Sequence, residues 1–216
     1  MTPATAAVEA RLRRLFPVEV TVAAEPIGLV STGALWPEEQ AAIIGAVPAR
    51  RAEFTAGRVA ARRTLARLGL PPLALLMAPD RAAIWPEGIS GSIAHAAGFA
   101  VAVARQGAPL GVDIEEDTGI APDLWPIICL PEELQRLAKD DTARQVKRIF
   151  CAKEAVFKAQ LPASRVFFGH EILSVSLAGE HFDAQFLTSV GAFRAGQVVR
   201  GRIAMSDGLV VAGVAV

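Results

Sequence analysis

The chain is 216 residues long, 52% of them hydrophobic, and its 22 acidic and 22 basic side chains cancel to a formal net charge of zero. That much apolar material excludes disorder as the main state and suffices for one large core or two small lobes. The charge balance argues against a general nucleic-acid or membrane-surface binder, which would need excess positive charge over a face. Apolar runs are broken by charge, Gly or Pro well short of the roughly 20 residues that a membrane-spanning helix needs, so no span is expected. The opening MTPATAAVEARLRRLF has no uninterrupted apolar stretch after a basic start, so it does not read as a secretory signal. Two cysteines, Cys129 and Cys151, are too few for a disulfide framework; a reducing cytoplasm is the expected setting and packing their expected role.

In chain order, VEVTVAAEPIGLV reads as extended, and a helical stretch follows Pro37. A second helix is predicted from about Pro48, rich in Ala and Arg, with Gly69 placed to end it. After Pro71 and Pro72, LALLMAPDRAAIW reads as two short strands joined near Pro79 and Asp80. WPEGISGSIAHAAG reads as a loop, and FAVAVA as a buried strand. The second half opens with the strand LGVDIE, then a short helix at PEELQRLA and a longer one from about Thr142 to Gln160, whose Val146, Ile149, Phe150, Val156 and Phe157 form an apolar face. EILSVSL, HFDAQFL, VVRGRIAM and GLVVAGVAV complete the chain as strands. Each half offers a helix followed by strands, a coarse hint of duplication.

Charge is sorted locally. Arg50, Arg51, Arg58, Arg62, Arg63 and Arg67 stand on the second helix against one acid, Glu53, whereas the segment from Asp113 to Asp117 carries four acids and no base. Asp113 and Glu115 lie two apart on a predicted strand, so both leave one face, roughly 6–7 Å apart along the backbone. At a carboxylate separation of about 5 Å their repulsion is about 3 kcal/mol, which a divalent cation would reverse. Oxygen donors favour Mg²⁺ or Mn²⁺ over zinc. Alone, such a pair is as easily a solvated strand end. Glu154 lies in a mostly apolar helix with Lys158 at i+4, which reads either as a surface pair or as a third metal ligand beside a phosphate-binding lysine. Arg58 and Arg62, also at i+4, repel one another, so either an anion compensates them or the helix shows a solvated arginine face. His95 follows a loop with Gly88 and Gly91 that lets backbone approach a ligand; His170 and His181 have no such setting. Neither a Ser–His–acid spacing nor a Walker-type glycine loop is present.

Together, ARRAEFTAGRVAAR at 49–62, WPEGISGSIAH at 85–95, LGVDIE at 110–115 and FCAKEAVFKA at 150–159 resemble, in order and spacing, the 4′-phosphopantetheinyl transferases. The resemblance is to the group that serves siderophore, polyketide and nonribosomal-peptide carriers, of the enterobactin synthase component D kind. It implies an α/β (α+β) monomer of two pseudo-duplicated lobes, 1–106 and 107–216, each a small, mainly antiparallel sheet packed with helices. Coenzyme A would lie between the lobes, the basic helix belonging to the first and the metal and catalytic motifs to the second. By resemblance, Asp113, Glu115 and Glu154 hold Mg²⁺, with Mn²⁺ as substitute, and Glu154 is the base for the carrier serine. Lys158, with Lys153 nearby, meets the pyrophosphate, while Arg50, Arg58, His95 and Arg62 gather around the adenosine 3′-phosphate end. The partner is an apo acyl or peptidyl carrier protein.

Two departures stand out. Ala94 replaces the hydroxyl residue common before the loop histidine, and the surroundings of Asp80 and Arg81 carry few basic residues. Two other readings share the bare chemistry. One is an Mg²⁺-dependent hydrolase of a nucleotide pyrophosphate, the other a non-catalytic module that binds coenzyme A or a carrier.

Overall fold

The computed structural model describes residues 2–216, Thr32 by its backbone alone. Helix α1 (Pro3–Leu15) starts where Thr2 accepts the Thr5 amide and Pro3 presets the first turn. Strand β1 (Thr21–Pro26) follows, then a short helix α2 (Pro37–Gln40) and the long helix α3 (Pro48–Arg67). Strands β2 (Ile89–Ala96) and β3 (Phe99–Gln106) form a hairpin whose two turn residues, Ala97 and Gly98, have φ of 51° and 77°, the left-handed pair that matches strand twist. These strands make an antiparallel sheet in the order β1-β3-β2.

Strand β4 (Leu110–Glu116) opens the second sheet. Helices α4 (Trp125–Ile128), α5 (Pro131–Arg136) and α6 (Thr142–Ser164) follow, then β5 (Leu173–Ala178), β6 (His181–Phe186), β7 (Val198–Ser206) and β8 (Leu209–Ala215). This sheet is also antiparallel, in the order β4-β8-β7-β6-β5. In both sheets the first strand pairs with the last, β1 with β3 and β4 with β8. A long helix packs on that pair each time, α3 on β1 and β3, α6 on β4 and β8. The duplication hinted at by the sequence is thus a duplication of topology, in the α+β class.

The sheets meet where β2 runs beside β4, and the Val112 amide donates to Ser92 Oγ at 3.1 Å. One apolar cluster crosses the junction, with Val8 and Leu12 of α1, Val101 and Val103 of β3, Val112 and Ile114 of β4, and Val211 of β8. A second fills the space between α6 and the larger sheet, where Phe186 and Phe193 stack at 4.8 Å.

Two expectations need correction, and one element has no counterpart among them. The loop expected at 85–98 is mostly strand β2, within which Gly91 serves close packing against Trp85. The two strands expected within 73–85 reduce to a single bridge between Met77 and Ala83. Helix α1 was not expected, although Val8, Leu12 and Leu15 recur at helical spacing behind a Thr-Pro cap and are buried. Among the described residues no helix is long and apolar enough to cross a membrane.

Candidate active site

A cleft lies between the lobes. One stripe of α3, Arg50, Glu53, Phe54, Gly57 and Arg58, forms its first wall at helical spacing. Alternate residues of β2, Gly91, Ile93 and His95, form the floor, and Phe157, Lys158 and Leu161 of α6 the opposite wall. Gly91 is needed because the Trp85 ring lies flat against the strand, and a Cβ there would stand 2.3 Å from it. Gly111 does the same for α6, since its Cβ would come within 2.0 Å of the Ala155 carbonyl oxygen. The helix therefore presses onto β4, which brings Lys158 over Asp113. Arg81, at φ 69°, also lines the cleft. Ala94 points the other way, 3% exposed in the apolar cluster at the junction, so the missing hydroxyl faces the interior.

The cationic end is under-compensated. Arg58 is 5% exposed, its Nε has no partner, and its guanidinium lies 4.2 Å above the Phe54 ring. Burial pushes its pKa down to about 10, against the pull of Glu39 and with the repulsion of Arg50 and Arg62. Arg50 donates to His95 Nε2 at 2.9 Å and pairs with Glu53 at 3.3 Å. Burial holds His95 below the ordinary imidazole range; Glu53 opposes this, while Arg50 and Lys158 reinforce it. Three groups, Arg50, Arg58 and His95, thus face a common space that an anion would fit.

Two residues expected here lie elsewhere. Both Glu39 carboxylate oxygens, themselves buried, accept from Arg62, the shorter bond 2.5 Å, and Arg62 also donates to the Ala34 carbonyl at 2.6 Å. It ties α2 to α3. Lys153 is 1% exposed and donates to Glu133, the Ile128 carbonyl and the His170 carbonyl at 2.7, 2.9 and 3.0 Å. With three acceptors on its three protons it has none for a pyrophosphate; its role is structural. Arg63 and Arg67 likewise reach buried Glu9 of α1 at 2.8 and 3.0 Å.

At the other end, each of the three acids has its own side-chain partner. Asp113 accepts from Lys158 at 2.5 Å, Glu115 from Lys147 at 3.0 Å, and Glu154 from His170 at 3.1 Å. Among the described residues no group of three or more His, Cys, Asp or Glu stands close enough to hold a metal ion. The acids nevertheless share one neighbourhood: burial pushes Asp113 up to about 6 despite Lys158, and the charges of Glu115 and Glu154 add to the rise. Asp113 Oδ2 is buried with no hydrogen-bond partner. An orphaned carboxylate oxygen beside two further carboxylates fits a hard divalent cation. For Lys158, burial disfavours the charge, but Asp113 and Glu154 outweigh it and hold the pKa above the usual lysine value. Cys151 and Cys129 are buried and free, and burial pushes Cys129 up to about 12.

Lys147 and His170 were not anticipated as site residues. Lys147 carries the faint signal of a cation two turns before Glu154. His170 carries none, because the left-handed residue Arg165, φ 56°, turns the chain back after α6.

Comparison with known proteins agrees with this architecture. Residues 38–105 match the model of the 4′-phosphopantetheinyl transferase N-terminal domain, and 109–198 that of the 4′-phosphopantetheinyl transferase superfamily. The chain is 38% identical over 194 residues to 4′-phosphopantetheinyl transferase Svp of Streptomyces mobaraensis, covering 84% of this chain and 78% of that protein. It is 33% identical over 170 residues to 4′-phosphopantetheinyl transferase Npt of Nocardia iowensis, covering 77% and 76%. Enterobactin synthase component D of Shigella flexneri is 34% identical over 159 residues, covering 69% and 74%. With both matched segments together spanning most of its length, the chain belongs to the 4′-phosphopantetheinyl transferase superfamily.

Proposed function

We propose that this enzyme transfers the 4′-phosphopantetheine arm of coenzyme A to a serine of an apo acyl or peptidyl carrier protein, with Mg²⁺, and releases adenosine 3′,5′-bisphosphate. The observation that supports this best is the polarity of the cleft. The buried guanidinium of Arg58, whose Nε has no hydrogen-bond partner, stands at one end, and Lys158 at the other joins the cleft to Asp113. A ligand with a phosphate at one end and a pyrophosphate further along satisfies both.

In this reading Arg50, Arg58 and His95 bind the 3′-phosphate, and Lys158 neutralises the pyrophosphate. Asp113, Glu115 and Glu154 would hold the metal ion, which when bound supplies charge neutralisation at the pyrophosphate oxygens. Glu154 takes the proton from the serine hydroxyl, directly or through water. The serine oxygen forms a bond to the β-phosphorus while the bridging bond to the α-phosphate breaks, so the leaving group carries away the electron pair. Catalysis of this kind asks for positioning and charge stabilisation, which the cleft provides. The proposed lobes are 1–106 and 107–216, and the proposed active form is a monomer in the cytoplasm serving siderophore, nonribosomal-peptide or polyketide carriers.

The test is mass spectrometry of an apo carrier incubated with coenzyme A, Mg²⁺ and the enzyme. The carrier should gain the phosphopantetheine mass. Asp113→Ala and Glu154→Ala should each lower the rate at least about a hundredfold, or about 3 kcal/mol. Cleavage of coenzyme A with the carrier unchanged would instead establish a hydrolase, and binding without turnover a non-catalytic module.

A further inference from the structure

Glu154 is a long side chain one turn before Lys158 on α6, and an unrestrained glutamate samples many rotamers. In this chain it is restrained. A carboxylate offers no proton, so His170 Nε2–H donates to Glu154 Oε1, at 3.1 Å. The imidazole is itself fixed: it stands edge-on to Phe150, centroids 5.4 Å apart at 70°.

Its backbone is fixed as well. His170 begins a single 3₁₀ turn, His170–Ile172, and its carbonyl accepts from the buried Lys153 ammonium at 3.0 Å. Lys153 is bound to Glu133 of α5, whose second oxygen accepts the Val175 amide of β5 at 2.6 Å. Adjacent residues of α6 thus grip one turn twice, Lys153 by its main chain and Glu154 by its ring. A buried lysine–glutamate pair is no bargain in stability, but this one sets the position of His170.

We propose that His170 is the positioning residue of Glu154: the Lys153–Glu133 bracket holds the turn, and the imidazole occupies one carboxylate oxygen so that the other is presented in a single orientation. The inference rests on the reading of Glu154 as the base. Releasing the carboxylate displaces it by an ångström or so, which at a reacting centre is worth up to about a hundredfold in rate.

The experiment measures kcat and KM for coenzyme A in carrier modification by the full chain with Mg²⁺, alongside thermal unfolding. Variants are His170→Phe, which keeps the ring and its Phe150 contact but removes the donor, His170→Gln, which returns a donor at similar reach, and Glu154→Gln. His170→Phe should lower kcat roughly ten- to a hundredfold with KM for coenzyme A within about twofold, and His170→Gln should recover most of that loss. In the Glu154→Gln background, His170→Phe should add almost nothing. Wild-type kcat in His170→Phe, while Glu154→Gln is inactive, overturns the positioning role and leaves the base standing. An equal loss in His170→Phe and His170→Gln, tracking a fall in melting temperature, overturns it in favour of packing. Full activity in Glu154→Gln overturns both readings.

Discussion

Among side chains, the arginines of α3 show how a charge pattern divides between structure and function. Six lie between residues 50 and 67, and from the sequence they make α3 a basic helix. The structure assigns Arg62 to Glu39, and Arg63 and Arg67 to Glu9. Those buried acids come from α1 and α2, remote in sequence, and no spacing rule could have paired them. Arg58 keeps no such partner for its Nε. Its pKa, lowered to about 10 by burial, means that the folded state penalises the charge. For a base the sign is clear: the penalty, about 3 kcal/mol, is present at every pH below about 10 and shrinks only above it. Arg58→Met should therefore stabilise the free enzyme by about 1 kcal/mol or more, a rise of about 2–4 °C in melting temperature. The same variant should weaken coenzyme A binding roughly thirtyfold, as loss of a charged hydrogen bond of about 2 kcal/mol would. Thermal unfolding and calorimetry check the two halves. A variant that melts lower and binds as before would show that Arg58 is a structural cation.

Among elements, the contact of α6 with β4 carries the site, because it sets Lys158 of the helix over Asp113 of the strand. The two motifs that define those elements, LGVDIE and FCAKEAVFKA, were legible in the sequence as a strand and a helix, as was the apolar face of α6. Their docking was not, since periodicity gives a face without its partner. Gly111 in LGVDIE is what lets the helix come so close. Gly111→Ala would set a methyl group against the Ala155 and Ala159 backbone, which cannot move aside as a side-chain end can. It should destabilise by about 1–3 kcal/mol, and turnover should fall further as Lys158 and Asp113 separate. Unchanged melting and turnover would mean that the helix has room to shift. Glycine also misled: Gly88, Gly91 and Gly98 suggest a loop, yet Gly91 sits within β2 because the Trp85 ring needs the space. A glycine in a strand marks close approach as often as flexibility, and only the neighbour decides.

Across the whole molecule, the two lobes that the duplicated topology suggests are not independent. Helix α1 packs on β1 of the first sheet and also on β7 and β8 of the second. Phe16, just after it, lies against Gly213, where a Cβ would meet the ring at 2.5 Å. Arg105 of β3 donates to the Ala108, Pro109 and Val216 carbonyls, the last at 2.6 Å, and so fastens the connection between sheets to the end of β8. The apolar cluster at the junction draws on both halves, so separating the lobes would expose Val101, Val112, Ile114 and Val211, each fully buried. At about 25 cal/mol per Å² of apolar surface, a core of that kind couples the halves by several kcal/mol. The enzyme should therefore unfold in one calorimetric transition, with van 't Hoff and calorimetric enthalpies equal, and coenzyme A, which the proposed function puts between the lobes, should raise that single transition. Two resolved transitions, only one of them moved by ligand, would show that each lobe folds alone and that the cleft forms by docking of finished parts.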